Sequence, residues 1–439
     1  MKVPILILGM VWPEPETTAA GTRMLQLIDY FRLRNYRIVF ASTASKGENS
    51  YSLENLGVES QEILLNDSGF DVFIEALQPE IVVFDRFVTE EQFGWRVRQI
   101  CPYAMRILDT EDLHLLRYSR ELAMKNERRD FHHFLDHDIS YRELASIYRS
   151  DLSLIISEWE HEFLTSHFRV PSSLLFYLPF LPEPLTEAAF LNNPPYEERM
   201  GFMFMGNMRH GPNLDAVHYL RKEIWPRIRE QLPSAEMHVY GAYTPKGLGG
   251  RQDTQQAFRV RGMALDKKEV YSRHRVCLAP LRYGAGLKGK LFDAMQFGIP
   301  CVTTGIGAEG INGKLPWNGY ITDDPETFAF QSAALYNDKK EWIAAREKGW
   351  LILEQRFDRE AFQIRFTECL NALLAALPKH RKNNFYGNML WHHSLMSTRY
   401  LSKWIEAKNR FKTKENDTAE VPSHKAKADL PEGSGGQEP

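Results

Sequence analysis

Apolar and polar residues alternate along the first half of the chain in two rhythms. Nearly uninterrupted apolar runs occur at Val3-Pro4-Ile5-Leu6-Ile7-Leu8, Arg37-Ile38-Val39-Phe40, Glu80-Ile81-Val82-Val83-Phe84, Met105-Arg106-Ile107-Leu108 and Leu152-Ser153-Leu154-Ile155-Ile156. Between them lie stretches of helical period, such as 20–33, where Met24, Leu27, Ile28 and Phe31 share one face. A continuous apolar run suits a parallel strand covered on both faces, because water reaches neither side. Alternating β and α elements predict a doubly wound α/β lobe over residues 1–185, with a charged helical insertion at about 117–149.

Residues 181–200, LPEPLTEAAFLNNPPYEERM, break the pattern with four prolines and two asparagines, and a linker is predicted at 186–200. A second α/β lobe, 201–358, opens on the strand Phe202-Met203-Phe204-Met205. A helix at about 213–231 follows, then strands at Met237-His238-Val239-Tyr240 and Val276-Cys277-Leu278. Phe362, Ile364, Phe366, Leu370, Leu373 and Leu374 mark an amphipathic helix over 359–378. A basic amphipathic extension, 379–412, places Met396, Tyr400, Leu401, Trp404 and Ile405 on one helical face. The polar residues 413–439 bury too little to fold and are expected to be disordered.

A chain of 439 residues exceeds one comfortable core, in keeping with two lobes. Its net charge of −3 argues against a general nucleic-acid binder. No apolar run is long enough for a membrane span, and the start, MKVPILILGMVWPEPE, is too short in apolar residues for a signal peptide. Cys101, Cys277, Cys301 and Cys369 form no C-x-x-C pair, and three of them sit in or beside apolar runs. These features predict a reducing, cytoplasmic location.

Residues 276–310, VCLAPLRYGAGLKGKLFDAMQFGIPCVTTGIGAEG, carry the chemistry. A buried strand leads to the turn Gly284-Ala285-Gly286, then to a helix bearing Leu287, Leu291, Phe292 and Met295, which Gly298 and Pro300 stop before a second strand. Bare N–H groups at a helix start, with Lys288 and Lys290 in the first turn, make a site for phosphate.

This segment resembles the donor-binding segment of GT-B-fold glycosyltransferases, in particular glycosyltransferase family 4. Members carry G-A-G-x-K-x-K-x-x-E-A-M-x-x-G-x-P-V-V followed by a G-x-E-G turn; here the stretch is 284–302, then Gly307-Ala308-Glu309-Gly310. The resemblance implies the GT-B architecture, two doubly wound Rossmann-like lobes facing across a cleft that holds the active site. It also implies transfer of a sugar from a nucleoside-diphosphate sugar to an acceptor hydroxyl, with retention, in polysaccharide or surface glycan assembly. The acceptor is then a glycan, a lipid-linked or a small molecule. In a retaining mechanism of this kind the donor's own diphosphate takes the acceptor proton, so neither a nucleophilic side chain nor an essential metal or other cofactor is expected. The helix at 359–378 is expected to cross back onto the first lobe.

Site residues follow from the same resemblance. Lys288 pairs with the diphosphate and stabilises the leaving group, with Lys290 beside it. Gly284 and Gly286 admit the phosphates. In the loop after the first strand, Gly21 precedes a helix and Arg23 adds charge; the alternative there is a cap by Thr17 or Thr18 with a surface arginine. His114, in Asp109-Thr110-Glu111-Asp112-Leu113-His114, is the candidate contact to the transferred sugar, oriented by Asp112 or Asp109. After the first strand of the second lobe, Pro212-Asn213-Leu214-Asp215-Ala216 matches the family's P-N-x-D-A; Gly206 allows close approach of the nucleotide and Arg209 contacts phosphate. Glu309 accepts from ribose or sugar hydroxyls.

Many members carry two glutamates spaced E-x7-E, whereas this chain has Ala285 and Asp293 at those positions. Asp293 is a shorter acid for the ribose, and Ala285 binds no hydroxyl. The motif Asp136-His137-Asp138 lacks a preceding strand and reads as solvated surface. The lysines, arginines and tryptophans of 379–412 suit an anionic membrane surface, or packing on the protein with the lysines in water. Two other functions stay open. Gly284-x-Gly286-x-x-Gly289, with Glu309 about twenty residues on, also fits a dinucleotide fingerprint and hence an oxidoreductase. Ala285 leaves room for a non-catalytic GT-B-like binding protein.

Overall fold

The computed structural model describes residues 2–128, 130–248 and 256–419, with the side chains of 394–396 and 410–419 left aside. Two parallel sheets organise them. The first holds β1 (Pro4–Gly9), β2 (Arg37–Ser42), β3 (Glu59–Glu62), β4 (Ile81–Asp85), β5 (Met105–Asp109), β6 (Leu152–Ile155) and β7 (Leu175–Tyr177), in the order β3-β2-β1-β4-β5-β6-β7. The second holds β8 (Phe202–Met205), β9 (Met237–Tyr240), β10 (Phe258–Gly262), β11 (Val276–Ala279), β12 (Cys301–Thr303) and β13 (Gly319–Ile321), in the order β10-β9-β8-β11-β12-β13. These are the two doubly wound α/β lobes expected.

Strand order reverses between β1 and β4 in one sheet and between β8 and β11 in the other. The crevice outside the carboxyl ends of the strands at such a reversal is where open α/β sheets bind ligands. Each sheet has a core on both faces. Leu6, Leu8, Val82 and Phe84 pack on one side of the first sheet, Ile5, Ile7, Ile81 and Val83 on the other. Phe204 and Leu278 lie on one side of the second, Met203 and Cys277 on the other. This two-sided burial accounts for the continuous apolar runs.

Four strands were not among those expected: β3, β7, β10 and β13. The first reads ESQE, largely exposed, and forms because the edge of β2 offers it a partner. The expected long helix near 213–231 has three parts: Gly211–Tyr219, a π-helical turn Leu220–Ile224, and Trp225–Gln231. Pro226, in the first turn of the last part, has no N–H to continue the ladder, and the wider turn precedes it.

The helix Arg359–Asn383 follows the second lobe in the chain, yet its Phe362, Phe366, Leu370 and Leu377 belong to the first lobe's core. Tyr30 and Phe366 rings lie 4.7 Å apart. A last helix, Phe385–Ala419, packs on helices Arg86–Ile100 and Asp138–Arg149 and buries Trp391, whose indole donates to the Arg149 carbonyl at 2.9 Å. This helix enters the stretch expected to be disordered from 413; residues 420–439 lie outside the described ones. No described helix is long and apolar enough to cross a membrane. The 117–149 insertion is helical, and its His137 caps the helix Asp138–Arg149 by accepting from the Ser140 N–H. Among the described residues no group of three or more His, Cys, Asp or Glu side chains is placed to hold a metal ion.

Candidate active site in the interlobe cleft

The carboxyl ends of both sheets face one cavity of about 1020 Å³. Helix starts from both lobes border it, among them those of Ala19–Leu33, Arg86–Ile100 and His114–Lys125 from the first lobe and Gly211–Tyr219 and Gly289–Gln296 from the second. Of the residues singled out in the sequence, His114, Asp112, Gly206, Arg209, Gly284, Gly286, Lys288, Lys290 and Asp293 line it. Gly21 and Glu309 do not.

The second-lobe wall is the basic one. Lys288 stands at the cap of its helix, buried, and its ammonium donates to the carbonyls of Gly286 at 2.7 Å and Ala285 at 3.3 Å. Burial lowers its pKa, while Glu309 pulls the other way. Lys290 donates to the Asn213 side-chain carbonyl and lies over the Phe204 ring, 4.8 Å from its centroid. Burial, with repulsion from Lys288, pushes its pKa down to about 7. Gly206 sits under Asn213, where a Cβ would come 2.7 Å from the amide carbon. Arg209 is exposed and stacks on the Tyr243 ring, 3.7 Å from the centroid. Asp293 is pushed up to about 6 by burial, against the pull of Lys267.

From the first lobe come His114 and Asp112. The His114 ring edges onto Phe87, and its Nε2 is 3.5 Å from Asp112 Oδ1. Burial drives the imidazole pKa down to about 4, so at neutral pH the ring is uncharged and both donates and accepts. Burial pushes the Asp112 carboxyl up, but the paired Arg117 guanidinium, with His114, holds it below the usual carboxylate range. Asp109, the other candidate for orienting His114, is fully buried and spent on Arg23 at 2.8 Å.

Four assignments change. Gly21 does not present its N–H to an anion: Thr18 Oγ1 accepts that N–H at 2.9 Å, and Gly21 is glycine because a Cβ there would meet the Glu14 backbone at 2.4 Å. Arg23 offers no charge to a ligand, since its guanidinium is divided between Asp109 and the carbonyls of Leu178 and Pro179. Glu309 is no free acceptor, because Arg120 takes both its oxygens, at 2.9 and 2.6 Å. Gly286 lines the cavity, but Glu160 accepts its N–H at 2.7 Å; with φ at +65° and the Asp112 Cβ 2.8 Å from where its own would stand, it is one of the points where the lobes touch.

Sequence reasoning missed Arg86, Glu111, Arg117 and Glu160. Arg117 was legible in principle, three residues past His114 on one helix face. The left-handed backbone of Arg86 and Glu111 leaves no mark in composition.

Residues 199–338 match the family described as glycosyl transferases group 1. By structure the chain is similar to sucrose-phosphate synthase from Thermosynechococcus elongatus, with TM-score 0.61 and 14% identity over 85% of this chain and 100% of that one. It is also similar to HepE of Anabaena, solved with UDP and glucose, with TM-score 0.60 and 13% identity over 84% of this chain and 100% of that one. A third is WaaG, a glycosyltransferase involved in lipopolysaccharide biosynthesis, with TM-score 0.59 and 10% identity over 82% of this chain and 98% of that one. No curated protein matches the chain by sequence. The fold is GT-B, and together with the family match it supports glycosyl transfer in general terms.

Proposed function

From a second lobe matching the group 1 glycosyl transferases in a GT-B fold, we propose that the protein transfers a sugar from a nucleoside-diphosphate sugar to an acceptor hydroxyl, with retention, in the assembly of a polysaccharide or surface glycan. One observation carries this reading: the buried Lys288 and half-buried Lys290, beside two helix starts, face an uncharged His114 across a single cavity. The diphosphate belongs on the cationic wall, where fixed charge and helix N-termini stabilise it as the sugar–phosphate bond breaks. His114 is the hydrogen-bonding partner of the transferred sugar, and Asp112 orients it. Gly206 and Gly284 admit the nucleotide, Asp293 binds the ribose, and Arg209 reaches the phosphates on leaving Tyr243. The acceptor attacks on the face the leaving diphosphate vacates, and a diphosphate oxygen takes its proton, so no resident cofactor or metal is required. HepE was solved with UDP-glucose, which makes uridine diphosphate the first ligand to try.

Calorimetry with a panel of nucleoside diphosphates and NAD tests the donor site. One nucleoside diphosphate is expected to bind, and Lys288→Ala to weaken it about ten- to a hundredfold, the usual loss for a hydrogen bond to a charged group. Binding of NAD alone, or affinity indifferent to Lys288, sinks the reading.

We further propose that the last helix rests on an anionic membrane at its cytoplasmic face. Tyr400, Leu401 and Trp404 are 60%, 57% and 60% exposed, and Lys403 and Lys408 are exposed among them. Arg381 is no part of that surface, since it is spent on the buried Asp151. Full-length protein is expected to sediment with phosphatidylglycerol vesicles and not with phosphatidylcholine, and Trp404→Glu to release it. Equal sedimentation of the variant counts against the membrane.

A further inference from the structure

The first-lobe wall of the cavity holds two side chains whose hydrogen-bonding capacity is nearly unused. Arg86 follows β4 directly and Glu111 lies just beyond β5, and these strands are neighbours, with Asp85 opposite Asp109. Both residues hold left-handed backbone, φ 68° and 61°, which a residue with a Cβ adopts only at a cost in energy. Both line the cavity beside His114. Strain at two adjoining strand ends, both aimed at one cavity, marks a place where side-chain direction matters more than backbone comfort.

Their partners are few. Among the described residues Arg86 Nη1 meets only the thioether of Met10, at 3.3 Å, and its Nε lies 3.7 Å from Asp85 Oδ1, beyond hydrogen-bond distance. Asp85 Oδ2 takes the Met10 N–H at 3.0 Å, while its Oδ1 is buried without a hydrogen bond. Among the described residues the Glu111 carboxyl makes no hydrogen bond, although the residue is only 8% exposed. A fork of donors thus stands beside a free acceptor. Adjacent hydroxyls on a sugar ring offer the complement, since each both donates and accepts.

Charge narrows the class of ligand. Arg23 is committed to Asp109, and Arg117 to Asp112. Arg86 is left facing two carboxyls, Asp85 and Glu111, so an anion placed on its guanidinium would be brought against both. The cations that suit an anion, Lys288, Lys290 and Arg209, are on the opposite wall.

We propose that Arg86 and Glu111 bind the acceptor by a pair of adjacent hydroxyls, and that the sugar it presents is uncharged. This rests on the glycosyl-transfer reading and assigns it an acceptor class. The full-length protein, saturated with the nucleoside diphosphate found by calorimetry, is titrated with methyl glycosides, the matching uronic acids and sugar phosphates, and binding is followed by saturation-transfer NMR. Wild type is compared with Arg86→Asn and Glu111→Asn, because asparagine tolerates left-handed backbone and removes the side-chain chemistry without adding strain. Arg86→Lys is the further control, keeping the charge and losing the fork.

The neutral glycosides are expected to bind wild type. Each substitution is expected to weaken them about tenfold or more, as when a site built for hydroxyls loses a partner, with nucleotide affinity unchanged. Tighter binding of uronic acids or sugar phosphates, no binding of any neutral glycoside, or variants that bind as wild type does would overturn the inference. Absence of nucleotide binding to wild type is a separate result, and it strikes the donor reading.

Discussion

At the residue scale, the pair Lys290 and Asn213 makes the donor wall sensitive to pH. Lys290 sits among apolar neighbours and in the field of Lys288, so its proton leaves near pH 7. A diphosphate beside it would favour the charged form and raise that pKa. Binding therefore takes up a proton when it occurs above about pH 7, and affinity is full below that value and falls as pH rises through it. Calorimetry of the nucleoside diphosphate at pH 8 in buffers of different ionisation enthalpy is expected to show net uptake, absent in Lys290→Met. Uptake that survives the substitution would place the proton elsewhere. Lys288 and Lys290 were legible in the sequence as cations at the start of a helix after a glycine turn, and both line the cavity. At Gly21 the alternative reading, a cap by Thr18, is the one the structure shows, while Gly286 and Glu309 were misread for one reason: sequence shows which groups can hydrogen-bond, and only the fold shows which of them are already taken. Glu160 and Arg120 take these.

At the element scale, legibility followed burial. The strands β1, β4, β5, β6, β8 and β11 have fully or nearly fully buried side chains and read as apolar runs. β3 and β13 are sheet edges with exposed positions, and their existence depends on a neighbour's unpaired backbone rather than on their own pattern. The helix Arg359–Asn383 was legible as amphipathic, but which lobe its apolar face covers is decided by shape. Phe366 is fully buried and touches Tyr30, Phe31 and Phe176 of the first lobe. Phe366→Ala is expected to cost about 3–5 kcal/mol of stability, the usual loss for a buried phenylalanine. Urea unfolding followed by tryptophan fluorescence measures it. A cost below about 1 kcal/mol would mean that the helix does not dock there in solution.

At the scale of the whole molecule, the lobes meet on two sides of the cavity. On one side Arg120, from the first lobe, holds Glu309 and the Gly284 carbonyl at 2.8 Å, and Glu160 holds the Gly286 N–H. On the other side Tyr243 donates to Glu14 at 2.7 Å and Lys267 to the Pro15 carbonyl at 2.7 Å, so the loop after β1 bridges to the second lobe. The turn that carries Lys288 is thus fixed partly by first-lobe side chains. An alanine at Gly286 has no room, since its Cβ would fall 2.8 Å from Asp112 and φ would stay at +65°. Gly286→Ala is therefore expected to push the lobes apart, raising the radius of gyration in solution scattering with nucleotide bound and lowering transfer more than nucleotide affinity. Glu309→Gln separates the two roles considered for that residue. As partner of Arg120 it acts on the geometry of the turn, so the substitution is expected to weaken every nucleoside diphosphate alike. As a ribose ligand it would instead weaken ribonucleotides and leave their 2′-deoxy counterparts unchanged. A ribose-selective loss would contradict the reading in which Glu309 serves only to hold Arg120 across the lobes.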